Sequence, residues 1–239
     1  MSAKRGLTHI AYKIPSRGLL DVVRVMRRHL SRKIGHALIL RRNRKVIDLL
    51  LQGGEPILLE LGAGERRLKG WTTIDRNEAS DICMDLLNPL PFPDNCVTQV
   101  YCSHLLEHFY YPDLVSLLSE CYRVLEPSGL FKVAVPNARI YLEAYADPEG
   151  FDDEYYCRYG PAFHYNSRID YVNYMAYMGG YHRYLFDEEN LLIVLANAGF
   201  ACVRLRGFDP SLDLEQREYE TIYAEAVKFD DRGTLERVY

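Results

Sequence analysis

The chain has 239 residues, of which 48% are hydrophobic and 26% are charged, values typical of a globular protein with one sizeable core and modest additions. No apolar run reaches the roughly 20 residues needed to span a bilayer, and the first residues lack a signal-peptide pattern, so we expect a cytoplasmic protein with no transmembrane segment. The six cysteines show no C-x-x-C spacing, which disfavours a disulfide or zinc framework.

The first fifty residues are strongly basic. They contain 13 Lys and Arg against two Asp, whereas the remaining 189 residues contain 16 basic and 31 acidic residues. Apolar residues at helical spacing predict helices near residues 19–30 and 37–51, each with a basic face. We therefore expect a basic helical N-terminal extension, residues 1–53, before a domain at residues 54–239. In one interpretation, these helices dock their apolar faces on the domain and leave the basic faces in solvent. In a second, the basic faces contact an anionic surface or a protein partner, for example at the inner membrane face. A cleaved transit peptide is a third interpretation.

From Glu55 onward, strand and helix patterns alternate. Strands are predicted near residues 57–61, 72–75, 81–84, 98–102, 130–135, 201–207 and 221–228, and helices near 112–125 and 187–198. This order predicts an α/β fold with a mainly parallel sheet. The helix near 187–198 begins with three acidic residues and ends before Gly199, as capping requires. Residues 208–220 are expected to form a polar connection.

Two glycines follow the first predicted strand, and an acid ends the second. Gly62 and Gly64 let the backbone approach a ligand closely, and Asp75 offers a carboxylate to ribose hydroxyls at the carboxyl edge of a doubly wound sheet. Gly64 and Asp75 enclose only ten positions, so the first crossover helix must be abbreviated. Arg67 stands where a dinucleotide-binding loop has its last glycine, which disfavours a nicotinamide dehydrogenase.

Further motifs follow the later strands. Asp85-Leu86 closes the third strand, Leu106-Glu107-His108 follows the fourth, and Arg123-Val124-Leu125 leads into a Pro-Ser-Gly turn before the fifth. With the G-x-G-x₅-G-W-x₃-D opening at residues 62–75, these motifs resemble the class I S-adenosylmethionine-dependent methyltransferases, and most closely a bacterial group associated with glycan-biosynthesis genes. The resemblance covers Glu55 to Phe229. It implies a Rossmann-like, mainly parallel seven-stranded sheet with one antiparallel strand.

The resemblance also implies a set of cofactor-binding residues. Glu60 would face the ammonium of S-adenosylmethionine, Asp75 would accept from the ribose hydroxyls, and Asp85 would take the adenine amino group. The other expected contacts are backbone or neighbouring groups: Gly62, Ala63 and Gly64 along the methionine portion, Arg76 and Leu86 at the adenine, and Ser103 and His104 beside the sulfonium.

A metal site is considered because His104 and His108 lie four residues apart with Glu107 between them, on one face if the segment is helical. The sequence offers no recognisable third ligand, and the family resemblance accounts for these residues without metal. We therefore predict no metal, with Glu107 as a cap and His108 packed under the fourth strand as the structural alternative.

The acceptor pocket is expected in the long, tyrosine-rich insert at residues 136–186. Most of its rings would pack within a helical lid, while some would offer stacking faces and hydroxyls to a substrate. His182 follows a pair of glycines and is the first candidate for a general base, His164 the second and His108 the third.

These observations favour an S-adenosylmethionine-dependent methyltransferase of a small-molecule acceptor, such as a saccharide or glycan precursor. One alternative is methylation of a nucleic acid or protein bound by the basic N-terminal residues. Another is a cofactor-binding partner protein without catalysis.

Overall fold

The computed structural model describes residues 37–164 and 167–229. The chain divides into two units, Met1–Arg42 and Asn43–Tyr239, and only residues 37–42 of the first are described. Helix α1 covers residues 37–53, which confirms the second predicted N-terminal helix. The helix predicted near residues 19–30 lies outside the described residues, so the basic extension and its partners remain predictions.

Seven strands form one sheet in the order β3-β2-β1-β4-β5-β7-β6. All neighbouring pairs are parallel except those of β7, which is antiparallel to both β5 and β6. The predicted fold is therefore confirmed: it is the Rossmann-like class I methyltransferase sheet with one antiparallel strand. The strands are β1 Leu58–Leu61, β2 Thr72–Asp75, β3 Ile82–Cys83, β4 Val97–Ser103, β5 Leu125–Pro136, β6 Ala201–Leu205 and β7 Thr221–Val227.

The helices predicted near residues 112–125 and 187–198 are confirmed, and the described residues of the insert form three more. They are α2 Tyr111–Val124, α3 Ala138–Ala146, α4 Asp153–Tyr156, α5 Ile169–Tyr177 and α6 Glu188–Asn197. The Asp187 carboxylate caps α6 by accepting from the Asn190 backbone N–H at 2.8 Å, and Gly199 ends it at φ +96°. No helix in the described ranges is both long and apolar enough to cross a membrane.

The connection between β1 and β2 is short, as predicted. Residues 62–71 form turns without a helix, and the Gly62 N–H donates to the Ile74 carbonyl at 2.8 Å, which closes the loop directly onto β2. The start of β5 differs from the expectation: Leu125 already pairs with Val97, so the predicted turn is an irregularity within the strand, marked by a positive φ of +66° at Ser128.

Two hydrophobic clusters organise the domain. The larger one packs around the sheet, and the smaller one joins α3 and α5 through Tyr141, Tyr171 and Tyr174. Burial of these three tyrosines agrees with the expected packing role of most rings in the insert.

The connection at residues 208–220 is more buried than its polar sequence suggests. Its Leu212, Asp213 and Glu220 are all buried, and it ends in the 3₁₀ helix Glu215–Glu220. The reason is that its charged groups find buried partners: Asp213 pairs with Arg206, and Glu220 accepts from the Tyr141 hydroxyl at 3.0 Å.

Candidate functional site

A pocket of about 360 Å³ opens at the carboxyl ends of β1, β2 and β4. We call it the strand-end pocket. It lies where β1 has β2 on one side and β4 on the other, which is the topological switch point where open α/β sheets bind ligands. Its lining includes Gly62, Asp75, Arg76, Asp85, Leu86, Leu105 and His108.

The Asp75 carboxylate organises the loop beside this pocket. One oxygen accepts from the Gly64 N–H and the other from the Asn77 N–H, each at 2.9 Å. A carboxylate oxygen has two lone pairs, so both oxygens keep capacity for a further donor such as a ribose hydroxyl. Gly62 and Gly64 adopt positive φ angles of +69° and +56°, which glycine tolerates without strain.

Asp85 and Leu86 line the same pocket after β3. Asp85 accepts from the Leu87 N–H at 3.1 Å, and its second oxygen lies 3.6 Å from the exposed guanidinium of Arg76. Leu86 is 7% exposed and contributes an apolar wall. An acid beside a flat apolar surface suits a ring that carries an amino group.

Glu60 lies in β1, two residues before Gly62, and is buried; it is not part of the lining of the strand-end pocket. Its Oε1 is 3.9 Å from the Arg66 guanidinium, while its Oε2 has no hydrogen-bond partner. Burial raises the pKa of Glu60, and the charge of Arg66 opposes this change. An unpartnered buried carboxylate oxygen is costly, so a ligand ammonium would satisfy it. Ala63, which is buried, completes this loop.

A second pocket, of about 150 Å³, lies beside the first. We call it the histidine pocket, and its lining is His104, Glu107, His108, Tyr159, Met178, Tyr181, His182 and Arg217. Three parts of the chain contribute: the segment after β4, the insert, and the connection before β7. His108 belongs to the lining of both pockets.

His104 follows Ser103 at the end of β4 and has a positive φ of +49°. Its Nε2 lies 2.9 Å from the Thr221 hydroxyl, which itself donates to the Arg217 carbonyl. The hydroxyl therefore accepts from His104, so Nε2 carries the proton. Burial, followed by the charge of Arg217, lowers the pKa of His104 to about 3, and the ring is neutral at physiological pH.

Glu107 is the residue whose importance the sequence did not reveal. It lies in the 3₁₀ helix Leu106–His108, is 2% exposed, and has an Oε2 without a hydrogen-bond partner. Its other oxygen lies 3.6 Å from His104 Nδ1 and 3.9 Å from His108 Nε2. Burial raises the pKa of Glu107 to about 8. In the sequence, Glu107 lies in an apolar Leu-Leu-Glu-His run, and this position was the indication that the residue is more than a helix cap.

His108 and His182 lie against each other, with ring centroids 5.3 Å apart. His182 is buried, and burial lowers its pKa to about 4, although the hydrogen bond to Met175 opposes this. His108 is more open, with 40% of its side chain exposed. Two of the three predicted base candidates are thus brought together. The third, His164, is exposed and is not part of the lining of either pocket.

Residues 66–133 match the family model described as a methyltransferase domain. This part of the chain is thus similar to methyltransferase domains. A curated Mycolicibacterium smegmatis protein, described as a probable S-adenosylmethionine-dependent methyltransferase, is 42% identical over 57 residues, 24% of this chain. The match spans only 21% of that relative.

Solved methyltransferases are similar at low identity. An S-adenosylmethionine-dependent methyltransferase from Archaeoglobus fulgidus is 18% identical, with 80% of this chain and 94% of that chain covered and a TM-score of 0.45. Phosphoethanolamine N-methyltransferase 2 of Haemonchus contortus, in complex with S-adenosyl-L-methionine, is 12% identical, with coverage of 78% and 53% and a TM-score of 0.43.

Proposed function

We propose that the chain transfers a methyl group from S-adenosylmethionine to a small-molecule acceptor seated in the histidine pocket, with a saccharide or glycan precursor as the acceptor class. The observation that carries this proposal is that His108 lines both pockets. A donor held in one pocket and an acceptor held in the other would therefore meet at a single side chain.

Residues that line the strand-end pocket, together with Glu60 two residues before Gly62, fit the cofactor group by group. Asp75 retains lone pairs for the ribose hydroxyls, and Asp85 with the Leu86 wall suits the adenine ring. The unpartnered Oε2 of buried Glu60 suits the ammonium of the methionine portion. When bound, S-adenosylmethionine supplies a methyl group activated by a positive sulfur. The protein has to hold the acceptor in line with that group, which is a matter of alignment more than of acid–base chemistry.

The histidine pocket offers groups suited to a hydroxylated acceptor. Tyr159 and Tyr181 are part-exposed rings with hydroxyls, and Arg217 adds a cationic donor. Burial lowers the pKa of His182 to about 4, so this ring is neutral at physiological pH and adds no positive charge to the pocket. A saccharide combines apolar ring faces with several hydroxyls, which such a pocket recognises.

Calorimetry with S-adenosylmethionine tests the cofactor half of the proposal. Wild type should bind, and Asp75→Ala should bind about 30-fold more weakly, since it loses a charged acceptor worth about 2 kcal/mol. Asp147→Ala is the matched control, because Asp147 also accepts from a backbone N–H two residues later, at 3.2 Å, but lies outside the pocket lining. No binding by wild type, or equal affinity of wild type and Asp75→Ala, would contradict the proposal.

The acceptor is tested with methyl-labelled cofactor and fractionated cell extract. Label in low-molecular-weight, glycosidase-sensitive material supports a saccharide acceptor. Label confined to nucleic acid or protein would refute the small-molecule proposal and favour the alternative that uses the basic N-terminal residues.

A further inference from the structure

Three potential metal ligands converge in the histidine pocket. Glu107 and His108 are neighbours in the 3₁₀ helix after β4, whereas His182 comes from the far end of the insert. One ligand atom from each residue lies within 4.8 Å of the other two. His182 is the third ligand that the spacing of His104 and His108 alone does not provide.

The hydrogen bonds of the two histidines determine which nitrogens are free. His182 Nδ1 lies 2.6 Å from the Met175 carbonyl oxygen, and His108 Nδ1 lies 3.0 Å from the Tyr181 carbonyl oxygen. A carbonyl oxygen only accepts, so both Nδ1 atoms donate and both Nε2 atoms carry a lone pair. This is the arrangement found in metal-ligating histidines, whose second N–H is held by a carbonyl or carboxylate.

The third ligand is a buried carboxylate with unused capacity. Glu107 Oε2 has no hydrogen-bond partner although the side chain is only 2% exposed. Its Oε1 lies 3.9 Å from His108 Nε2, which is beyond a direct hydrogen bond. A buried polar atom without a partner requires an explanation, and a bound ion is one recognised explanation.

The backbone holds the three ligands in place. The N–H groups of Arg183 and Tyr184 both donate to the Glu107 carbonyl, at 2.7 and 3.2 Å. These bonds tie the residues next to His182 onto the helix that carries the other two ligands. The constellation is therefore built by the fold, and two of its three side chains, Glu107 and His182, are buried.

The surroundings leave room for the ion and for an exchangeable ligand. The cation that lines the pocket, Arg217, is paired with the Glu220 carboxylate at 3.0 Å, so its charge is partly compensated. The pocket of about 150 Å³ provides space for water or an acceptor oxygen at a fourth position.

We propose that Glu107, His108 and His182 bind a divalent first-row transition-metal ion, with Zn²⁺ as the best match, and leave one coordination position open toward the histidine pocket. Two histidines and one glutamate with an open position form a known type of catalytic zinc site, and divalent iron accepts related ligand sets. A tetrahedral ion with bonds of about 2.1 Å keeps its ligands roughly 3.4 Å apart, so side-chain adjustments of about 1 Å would close the site. Metal binding does not depend on the proposed acceptor.

Zinc titration of the full chain, stripped of metal and carrying Cys202→Ser to remove the exposed thiol, tests the site. We expect one Zn²⁺ per chain, measured by competition with a fluorescent chelator and by elemental analysis after dialysis. His108→Ala should lower the affinity at least about 100-fold, because loss of a direct ligand exceeds the effect of second-shell changes. His164→Ala is the matched control and should leave the affinity unchanged.

Cobalt substitution gives a second measurement, which reports on the ligand atoms themselves. Co²⁺ bound by nitrogen and oxygen ligands should give visible absorption bands in wild type that His108→Ala loses. Failure of wild type to bind stoichiometric Zn²⁺, equal affinity in His108→Ala, or a thiolate-to-cobalt charge-transfer band would each overturn the proposal. Binding of S-adenosylmethionine, measured on the same samples, reports on the proposed function separately.

Discussion

Replacing Gly62 with alanine tests how closely the glycine loop packs against the segment after β4. A Cβ at this position would lie 2.6 Å from Leu105 Cδ1 and 3.1 Å from Leu105 Cγ. The backbone there has a φ of +69°, a left-handed conformation that costs an L-residue about 1–2 kcal/mol. The collision adds about 1 kcal/mol, at the low end for overpacking, because the end of the leucine side chain can move.

Gly64→Ala is the matched control. Its φ of +56° imposes the same kind of backbone strain, but an added Cβ would meet no atom within 4 Å. The entropic effect of removing a glycine from the unfolded chain is common to both variants and cancels in the comparison. We therefore expect the free energy of unfolding to fall about 1 kcal/mol further in Gly62→Ala than in Gly64→Ala.

Urea denaturation measures this difference, and calorimetry measures its functional consequence. Because Leu105 lines the strand-end pocket, its displacement in Gly62→Ala should also weaken binding of S-adenosylmethionine. The double variant Gly62→Ala/Leu105→Ala should destabilise less than the sum of its single changes. Equal losses of stability in the two glycine variants, within about 0.5 kcal/mol, together with additivity in the double variant, would refute the argument.

Three further predictions concern buried polar groups. Asp213→Ala should lower the free energy of unfolding by about 3–5 kcal/mol in urea denaturation, because it leaves the Arg206 guanidinium buried without its carboxylate; a loss below about 1 kcal/mol would contradict this. Tyr141→Phe should lower the free energy of unfolding by about 1–3 kcal/mol in the same assay, since it removes a hydrogen-bond donor to buried Glu220. An unchanged urea midpoint would argue against that hydrogen bond. Burial raises the pKa of Glu60 above its ordinary 4.5, so the folded state binds the carboxyl proton of Glu60 more tightly than the unfolded chain does. The stability that this proton contributes is therefore present at low pH and lost as pH rises. Stability measured between about pH 5 and pH 8 should accordingly decline less in Glu60→Gln than in wild type, and parallel pH profiles would refute the assignment.

Most of the sheet was predictable because each strand pattern is local. The apolar runs at β1, β2 and β4, and the acids and glycines that follow them, lie in short consecutive segments. Parallel strands bring their carboxyl ends to one edge, so Gly62, Asp75 and Asp85 had to come together once the strand order was known. The start of β5 was harder to predict, since a Pro-Ser-Gly segment favours a turn until pairing with β4 extends it.

The histidine pocket could be predicted only in part. The segment after β4 marked His104 and His108 as candidates, and the glycine pair marked His182. Neither pattern showed that these residues meet, because their contact depends on hydrogen bonds from Arg183 and Tyr184 to the Glu107 carbonyl. The burial of Glu107 was equally hidden, since charged side chains are rarely buried and a cap was the ordinary expectation.

The sequence by itself determined the fold class, the short first crossover and which acids and glycines follow the strands, because these features depend on local periodicity and on groups at successive strand ends. Only the tertiary structure decided which histidines meet, which of their nitrogens are free, and that a buried carboxylate lies beside them. Those properties arise from packing between segments far apart in the chain, and the physical reason is that desolvation and hydrogen-bond pairing are set by neighbours in space.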